Sequence, residues 1–265
     1  MRIYLAFLRA GFRRYATYRL ATVAGAFTNA VFGLARAAIL ASAVAGAGAT
    51  STGGYTAAEV ITYAWLGQAL ITPVNVFQWN ELALRVRTGD IAIDLARPVD
   101  LQLSWLATDL GRAGYSLLPR GLPPVLIGAL IFGLVLPARP LPYLLGTLSV
   151  LLAVVISFAC RFAVNLTAFW LVEIRGVIGS YVAVSNLLCG LVVPVAWFPG
   201  WLDTLAAATP FPSLLQAPID VITGRADGSA ALGTLAVQIF WAFATLGLGR
   251  LLLHRATRKL VVQGG

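Results

Sequence analysis

The stretch Arg85–Asp100, RVRTGDIAIDLARPVD, decides how the rest of the chain is interpreted. It holds three arginines and three aspartates in 16 residues and lies between long apolar runs. A segment this polar is not stable in hydrocarbon, whereas the runs on either side are too apolar to be stable in water. We therefore expect a short soluble segment between membrane-spanning helices, where a soluble partner can dock.

The composition is that of a membrane protein. The chain has 265 residues, of which 59% are hydrophobic and 11% charged, and its mean hydropathy is +0.85. Ordinary soluble domains carry about 25% charged residues. Windows of about 20 apolar residues are each long enough to cross a hydrocarbon core of about 30 Å. The composition predicts an all-α integral membrane protein that forms a single domain over residues 1–265.

Six membrane-spanning helices are predicted from these windows. Their approximate ranges are 20–45, 57–80, 115–136, 143–171, 177–196 and 229–253. We expect Pro73 to kink the second span, because proline lacks a backbone donor. A tight proline-rich loop at 137–142 indicates an immediate reversal between the third and fourth spans.

Residues 1–19 are predicted to form a helix in the membrane surface. At 100° per residue Arg2, Arg9 and Arg13 lie within about 40° of one another, with apolar side chains around the opposite side. This pattern is typical of an interfacial helix whose basic side faces headgroups or a partner. A solvated basic tail is the alternative.

Positive charge predicts the orientation of the helices. With six spans and both termini cytoplasmic, the inner side carries thirteen Lys and Arg residues, and the outer loops carry only Arg139 and Arg225. This bias follows the positive-inside rule. High Ala, Arg and Gly with one lysine points to a GC-rich bacterial genome, so we expect a multi-pass protein of a bacterial inner (plasma) membrane.

The residues needed for several kinds of chemistry are missing. A P-loop requires a lysine after a glycine cradle, and Lys259 has no such cradle. One histidine and two separated cysteines do not make a zinc site. No basic soluble domain is present for nucleic acid. We expect neither catalysis nor a cofactor or metal in this chain.

Polar side chains within the predicted spans have two interpretations. They could face a lumen or a subunit interface, because charges at membrane depth are functional candidates by default. They could instead be hydrogen-bonding contacts between helices, or arginines that snorkel or pair structurally. The residues concerned are Arg36, Asn75, Gln78, Arg161 and Asn165.

The polar stretch resembles the intracellular segment of ABC-2 type permeases, in particular the small six-span subunits. The positions that match are Gly89, Asp90, Ile91, Asp94, Leu95, Arg97 and Pro98. A second match covers residues 190–224, in the pattern of Pro194, Phe198-Pro199, Pro210-Phe211, Pro218 and Gly224. With the span order and the basic N-terminal helix, the resemblance covers nearly the whole chain.

The resemblance implies a cytoplasmic coupling helix that sits in a groove of an ATPase subunit. Its residues would be Gly89, Asp90, Ile91, Ile93, Asp94, Leu95, Arg97 and Pro98. Gly89 permits a tight turn, Asp90 is placed to cap the helix, Ile91 and Leu95 lie on one face, and Pro98 stops it.

The resemblance also implies an outer re-entrant helical hairpin that closes the exit. Its gate residues would be Pro194, Trp197, Phe198, Pro199, Trp201, Pro210, Phe211 and Pro212. The segments then divide as 1–19 interfacial helix, 20–84 spans one and two, 85–114 coupling segment, 115–196 spans three to five, 197–228 hairpin, 229–253 span six and 254–265 cytoplasmic tail.

The implied function is the permease subunit of an ATP-driven exporter. Two ATPase subunits would bind ATP and Mg²⁺, and a second permease chain, the same or related, would complete the path within membrane lipid. The cargo would be a drug-like or antibiotic-like amphiphile, a lipid or a peptide. The alternatives are a stand-alone channel or secondary transporter, and an intramembrane enzyme or lipid-binding structural subunit.

Overall fold

The computed structural model describes residues 2–17, 19–47, 51–77, 80–171 and 173–258. Within these ranges the fold is helical and contains no β-strand. The α-helices are α1 Arg2–Ala16, α2 Arg19–Gly46, α3 Ala57–Leu70, α4 Glu81–Thr88, α5 Ile91–Ala96, α6 Leu101–Ser116, α7 Leu122–Phe132, α8 Leu141–Leu166, α9 Arg175–Leu188, α10 Gly200–Ala207, α11 Gln216–Ile222 and α12 Ser229–Thr257. The all-helical prediction is confirmed for the described residues.

Helix α3 lies at the centre of the bundle. Thr56 and Glu59 form a reciprocal capping box at its start, so two free backbone N–H groups are satisfied there. From Thr62 to Leu70 every residue is buried, and Trp65 is fully enclosed. A helix that is apolar on all sides is stable only inside other helices, here α2 and α7 among them.

The second predicted span changes geometry at its proline. After α3 the chain makes one π-helical turn, Ile71–Asn75, which contains Pro73, and Asn75 then adopts a left-handed conformation with φ of 58°. Proline removes one donor from the helical ladder, and such turns often interrupt α-helices at functional positions.

The helical run that contains the third predicted span begins at Leu101 rather than at residue 115. Helix α6, a π-helical turn at Leu117–Gly121 and α7 form one continuous helical run from Leu101 to Phe132. The sequence places residues 101–114 in the cytoplasmic segment, as an amphipathic stretch that includes Asp109 and Arg112. Both side chains are buried in the structure, and the predicted start of the span at residue 115 lies inside α6.

Four helical runs in the described ranges are long and apolar enough to cross a membrane. They are Thr22–Gly46, Leu101–Phe132, Leu141–Phe169 and Ser229–Thr257. The fifth predicted span is shorter than expected, because α9 ends at Leu188 instead of residue 196. The chain is thus a multi-pass helical protein whose α3 and α9 are the shorter helices among its predicted spans.

Helix α1 packs along the coupling-side half of α6 at very short range. A Cβ atom on Gly11 would lie 2.1 Å from the Thr108 carbonyl oxygen, and one on Gly111 would lie 2.0 Å from the Leu8 carbonyl oxygen. Only glycine permits this approach, which is a common way for membrane helices to pack. The N-terminal helix is therefore present, with Arg2, Arg9 and Arg13 exposed and its other side packed on α6, while its position in the membrane surface stays a prediction.

We predict that Gly111→Ala destabilises the purified protein by about 1–3 kcal/mol, the usual cost of forced overpacking. The added methyl group collides with backbone, which cannot rotate away as a side chain can. Gly114→Ala is the matched control, because no heavy atom lies within 4 Å of the added Cβ. Equal thermal stabilities of the two variants in detergent would show that α1 is not held by this contact.

Candidate functional site

The polar stretch forms two short helices joined by a glycine turn. Helix α4 ends at Gly89, whose φ of 83° is left-handed, and α5 begins two residues later. Arg97 is extended before Pro98, and the helix stops there as predicted. Asp90 makes no side-chain cap to α5; its carboxylate instead accepts a hydrogen bond of 2.8 Å from the Thr88 hydroxyl.

The inner face of α5 holds the helix to the bundle. Ile91 is 1% exposed and packs in an apolar cluster with residues of α4, α6, α8 and α12, and Leu95 lies against the same cluster. Asp94 is also buried and forms ion pairs with Arg85 at 2.5 Å and Arg97 at 3.6 Å. The hydrogen bond and charge of Asp94 raise the pKa of the Arg85 guanidinium, which therefore stays charged.

The outer face of α5 is small and apolar. Ile93 is 59% exposed, and its neighbours Ala92 and Ala96 are exposed as well. The predicted shared face of Ile91 and Leu95 therefore exists, but it points into the protein. A docking partner would meet Ile93 and not Ile91.

A polar groove of about 220 Å³ lies beside α5, between α1, α4 and α6. Arg14 of α1 crosses it and bonds to Glu81 of α4 at 2.9 Å. Asp100, the N-cap of α6, accepts a hydrogen bond from the Leu103 amide and pairs with Arg250 of α12. Ion pairs thus connect α1 to α4, and the start of α6 to α12, on this side of the protein.

A buried ion cluster lies directly behind the coupling segment. Asp109 and Arg112 of α6, three residues apart, pair at 2.7 Å, and Arg161 of α8 bonds to the same carboxylate at 2.9 Å. Arg161 is 1% exposed and Arg112 is 4% exposed. Burial of charge is tolerated only with such complete pairing.

Arg112 also terminates the central helix. Its Nη1 donates to the Thr72 carbonyl at 2.7 Å, and its Nη2 donates to the Pro73 carbonyl at 2.9 Å. These carbonyls belong to the end of the α3 run, where the helix dipole is negative and carbonyl groups lack intrahelical partners. The positive charge of Arg112, the second in the cluster, is therefore balanced by the negative end of this helix.

Three of the five polar span residues join the same network. Asn165 accepts a hydrogen bond from the Ala83 amide of α4 at 3.1 Å and donates to the Arg161 carbonyl at 2.8 Å. With its amide oriented to accept, the Asn75 side-chain oxygen lies 3.1 Å from Arg161 Nη1. Their interior positions favour the interpretation as contacts between helices, while Gln78 lies outside the described residues.

Arg36 lies near the other end of the bundle. Its Nη2 donates to the Gly190 carbonyl at 3.2 Å, just beyond the end of α9, and its guanidinium lies 6.0 Å from the centre of the Tyr63 ring. Within the described ranges Nε and Nη1 have no hydrogen-bond partner. Arg36 therefore donates to a carbonyl just beyond the C-terminal end of α9, as Arg112 donates to carbonyls just beyond the C-terminal end of α3.

The predicted outer hairpin consists of short helices broken by prolines. Pro199 precedes α10, and Pro210 and Pro212 flank Phe211 in a 3-10 turn that leads to α11. The proline at 194 precedes a 3-10 turn that contains Trp197.

The aromatic side chains of the hairpin have different surroundings. Trp197 donates to the Thr52 carbonyl at 2.8 Å, and Phe198 packs on Leu188 and Ala206. Phe211 contacts Tyr181 of α9, whereas Trp201 is 71% exposed. The hairpin is thus fixed on one side and open on the other.

Gln216 fixes the hairpin to the rest of the protein. Its Oε1 accepts from the Val195 amide at 2.9 Å, and its Nε2 donates to Asp220 at 2.8 Å and to the Tyr55 hydroxyl at 2.9 Å. The Tyr63 hydroxyl of α3 lies 2.9 Å from Oε1 and 2.7 Å from the Gly190 carbonyl. One buried amide therefore joins the hairpin to the central helix.

A charged pair closes the outer end of this network. Asp220 accepts a hydrogen bond from Tyr55 at 3.2 Å and lies 3.6 Å from Arg225, whose guanidinium stacks 3.6 Å over the Tyr55 ring. Burial raises the pKa of Asp220, despite the opposing effect of Gln216 and Arg225. The hairpin is held by hydrogen bonds in a largely desolvated place.

Sequence reasoning missed Gln216, Asp220, Tyr55 and Tyr63. One local signal was available, since Gln216 and Asp220 are four residues apart on a segment that is otherwise apolar. Their partners lie more than 150 residues away in the chain, which spacing alone does not indicate.

We predict that Asp109→Asn lowers the free energy of unfolding by about 3–5 kcal/mol, since it leaves two buried guanidinium groups without their shared counter-charge. Thermal unfolding in detergent measures the effect. Asp203→Asn is the control: Asp203 is exposed in the first turn of α10, where a charge contributes about 1 kcal/mol or less. Similar losses in both variants would contradict a structural role for the cluster.

We predict that Gln216→Leu raises amide hydrogen exchange across residues 195–222. Leucine has a similar volume but leaves the Val195 amide and Asp220 without these partners, at about 1–3 kcal/mol for each buried group. Thr204→Val, an exposed change in α10, is the control. Unchanged exchange in the Gln216 variant would show that the hairpin is held by packing alone.

A comparison with protein families gives a match. A family profile described as ABC-2 family transporter protein matches residues 32–264, which is more than half of the chain and includes both the coupling segment and the hairpin. No curated protein matches the chain. The resemblance expected from the sequence is confirmed, and the chain belongs to the ABC-2 transporter family, whose members are membrane transport components that associate with an ABC ATPase.

Proposed function

We propose that the chain is the permease subunit of an ATP-driven exporter. It spans a bacterial plasma membrane six times with both termini in the cytoplasm, and it forms the path together with a second permease chain. Two separate ATPase subunits bind ATP and Mg²⁺ and dock on the coupling segment. The cargo is an amphiphile, such as a drug-like or antibiotic-like compound, a lipid or a peptide.

The two faces of α5 carry this proposal. Ile91 and Asp94 fix one face to the bundle, and Ile93 presents the other face to the outside. A force applied at Ile93 therefore moves the bundle with the helix, because packed interiors deform little. A solvated loop with no partner requires neither a buried, fixed inner face nor an exposed apolar outer face, and α5 has both.

The hydrogen bond from the Ala83 amide to the Asn165 side chain connects the coupling segment to the membrane helices. It joins the start of α4 to α8, and Arg161 one turn earlier on α8 joins that helix to Asp109 of α6. Displacement of the coupling segment would thus turn α6 and α8 together. At its other end α8 packs against α11, so the same rotation would displace the hairpin, which Gln216 holds in place.

The test is co-purification with the ATPase encoded by a neighbouring gene, followed by mass analysis of the detergent-solubilised complex. Ile93→Asp places a charge on the outer face without touching the inner packing, so we expect loss of the ATPase and of transport. Leu205→Asp is the matched control, because Leu205 is similarly exposed (50%) but lies on the hairpin. That variant should retain the ATPase.

Membrane insertion and thermal stability should be unchanged in the Ile93 variant, because it loses no buried contact. If the Ile93→Asp complex forms and transports normally, docking at α5 is refuted. If the chain purifies without any P-loop ATPase and still transports, the channel or secondary-transporter alternative replaces this proposal.

A further inference from the structure

Arg36 lies within the first membrane-spanning helix, and most of its hydrogen-bonding capacity is unused. A guanidinium group stays charged in proteins, and each of its nitrogens carries N–H donors. Only Nη2 has a partner, the Gly190 carbonyl at 3.2 Å. The Nε and Nη1 atoms are buried without a hydrogen bond, and no other arginine among the described residues has buried nitrogens in this state.

The Gly190 carbonyl does not neutralise this charge. It already accepts the Tyr63 hydroxyl at 2.7 Å, which is the shorter of its two bonds. Among the described residues no carboxylate forms an ion pair with Arg36. The buried pair Arg112 and Arg161, by contrast, shares the Asp109 carboxylate. Arg36 is therefore a buried cation without a counter-ion, which is an unfavourable state at membrane depth.

The helices around Arg36 have no acceptor to spare. The guanidinium lies against α3, where a Cβ atom on Gly67 would be 2.9 Å from Nη1, so glycine provides the space for it. Two other buried nitrogens on α2 and α3 lack partners as well, Asn29 Nδ2 and Trp65 Nε1, and both are donors. The interface between α2 and α3 thus has an excess of N–H groups, and the missing partner of Arg36 has to come from outside the chain.

The crevice that holds Arg36 lies beside a loosely packed helix. It is formed by α2, by α3 and by the turn after α9. Helix α9 buries only Ser185 and Leu188, and it packs on α8 and the hairpin rather than on α2. Arg36 itself is only partly buried as a residue. A ligand that replaces the Gly190 carbonyl as a partner therefore breaks one hydrogen bond and gains a full positive charge.

We infer that Arg36 binds an anionic group of the transported molecule, such as a carboxylate, a sulfonate or a phosphate. A guanidinium suits these groups because its N–H donors form charge-assisted bonds to their oxygens. The cargo is then an anionic amphiphile, with its head group at Arg36 and its apolar part among the helices. The identification of the ligand as cargo rests on the proposed exporter function, whereas the anion site itself does not.

The test is equilibrium binding of radiolabelled dodecyl phosphate to the full chain in phosphatidylcholine nanodiscs, with empty nanodiscs as the background. Dodecyltrimethylammonium, which has the same chain and the opposite charge, is the comparison. We expect saturable binding of the phosphate alone. Arg36→Gln should weaken it about tenfold or more, because a hydrogen bond to a charged group contributes at least this factor.

Arg139→Gln is the matched control for that variant. It also removes one positive charge, but from a side chain that is 81% exposed and only 3.6 Å from its nearest acid, Asp227. We expect the control to bind dodecyl phosphate as the unmodified chain does. Arg36→Lys keeps the charge and should retain part of the binding. Equal binding to the Arg36→Gln and Arg139→Gln variants, or equal binding of both amphiphiles, overturns the anion site.

Thermal stability separates recognition from a structural role. Since Arg36 is a buried charge without a counter-ion, Arg36→Met should raise the unfolding temperature of the ligand-free protein by about 2–4 °C while it abolishes dodecyl phosphate binding. An arginine that holds the helices together would give the opposite sign. A lower unfolding temperature of Arg36→Met therefore contradicts the proposal.

The assignment of the anion as cargo is tested in the complex with the ATPase. Release of bound dodecyl phosphate during ATP turnover supports it, and binding that depends on Arg36 but is unaffected by turnover overturns it. Failure to recover any ATPase contradicts the exporter function alone, because the binding measurement on the isolated chain contains no ATPase.

Discussion

The pairing of one buried carboxylate with two guanidinium groups holds the coupling side of the protein together. Asp109 is the only acid in contact with Arg112 and Arg161 among the described residues, and Arg112 in turn terminates the central helix. Without these bonds, α3 would end in unsatisfied carbonyls inside the bundle. Helices α3, α6 and α8 therefore meet at this point.

At the opposite end of the bundle another buried arginine requires partners, and fewer are present there. Arg36 donates to the Gly190 carbonyl past the end of α9, but no described acid faces it, and two of its nitrogens lack partners. The short helices α3 and α9 thus each end against an arginine from another helix. The polar groups at the Arg36 end are the less completely satisfied of the two sets.

Local patterns in the sequence predicted the parts of the fold that depend on local chemistry. Gly89 and Pro98 flank α5 as expected, and the hairpin prolines break the chain where predicted. The helical run that contains the third predicted span starts 14 residues earlier than predicted, and it includes the buried pair Asp109 and Arg112. Their burial depends on Arg161, which lies 52 residues after Asp109, and no local pattern reveals such a partner. The inward direction of Ile91 likewise depends on Phe158 and Leu253, which are distant in sequence.

The separation of faces on α5 has a consequence for how such proteins diversify. Under the proposed docking, substitutions at Ala92, Ile93 and Ala96 would alter the surface that an ATPase contacts, while Ile91 and Asp94 keep the helix in place. The two sets lie on opposite faces of the helix, so a change on the exposed face removes no buried contact. A duplicated gene could therefore acquire preference for a different ATPase by changing three exposed side chains, with no loss of foldability to compensate elsewhere.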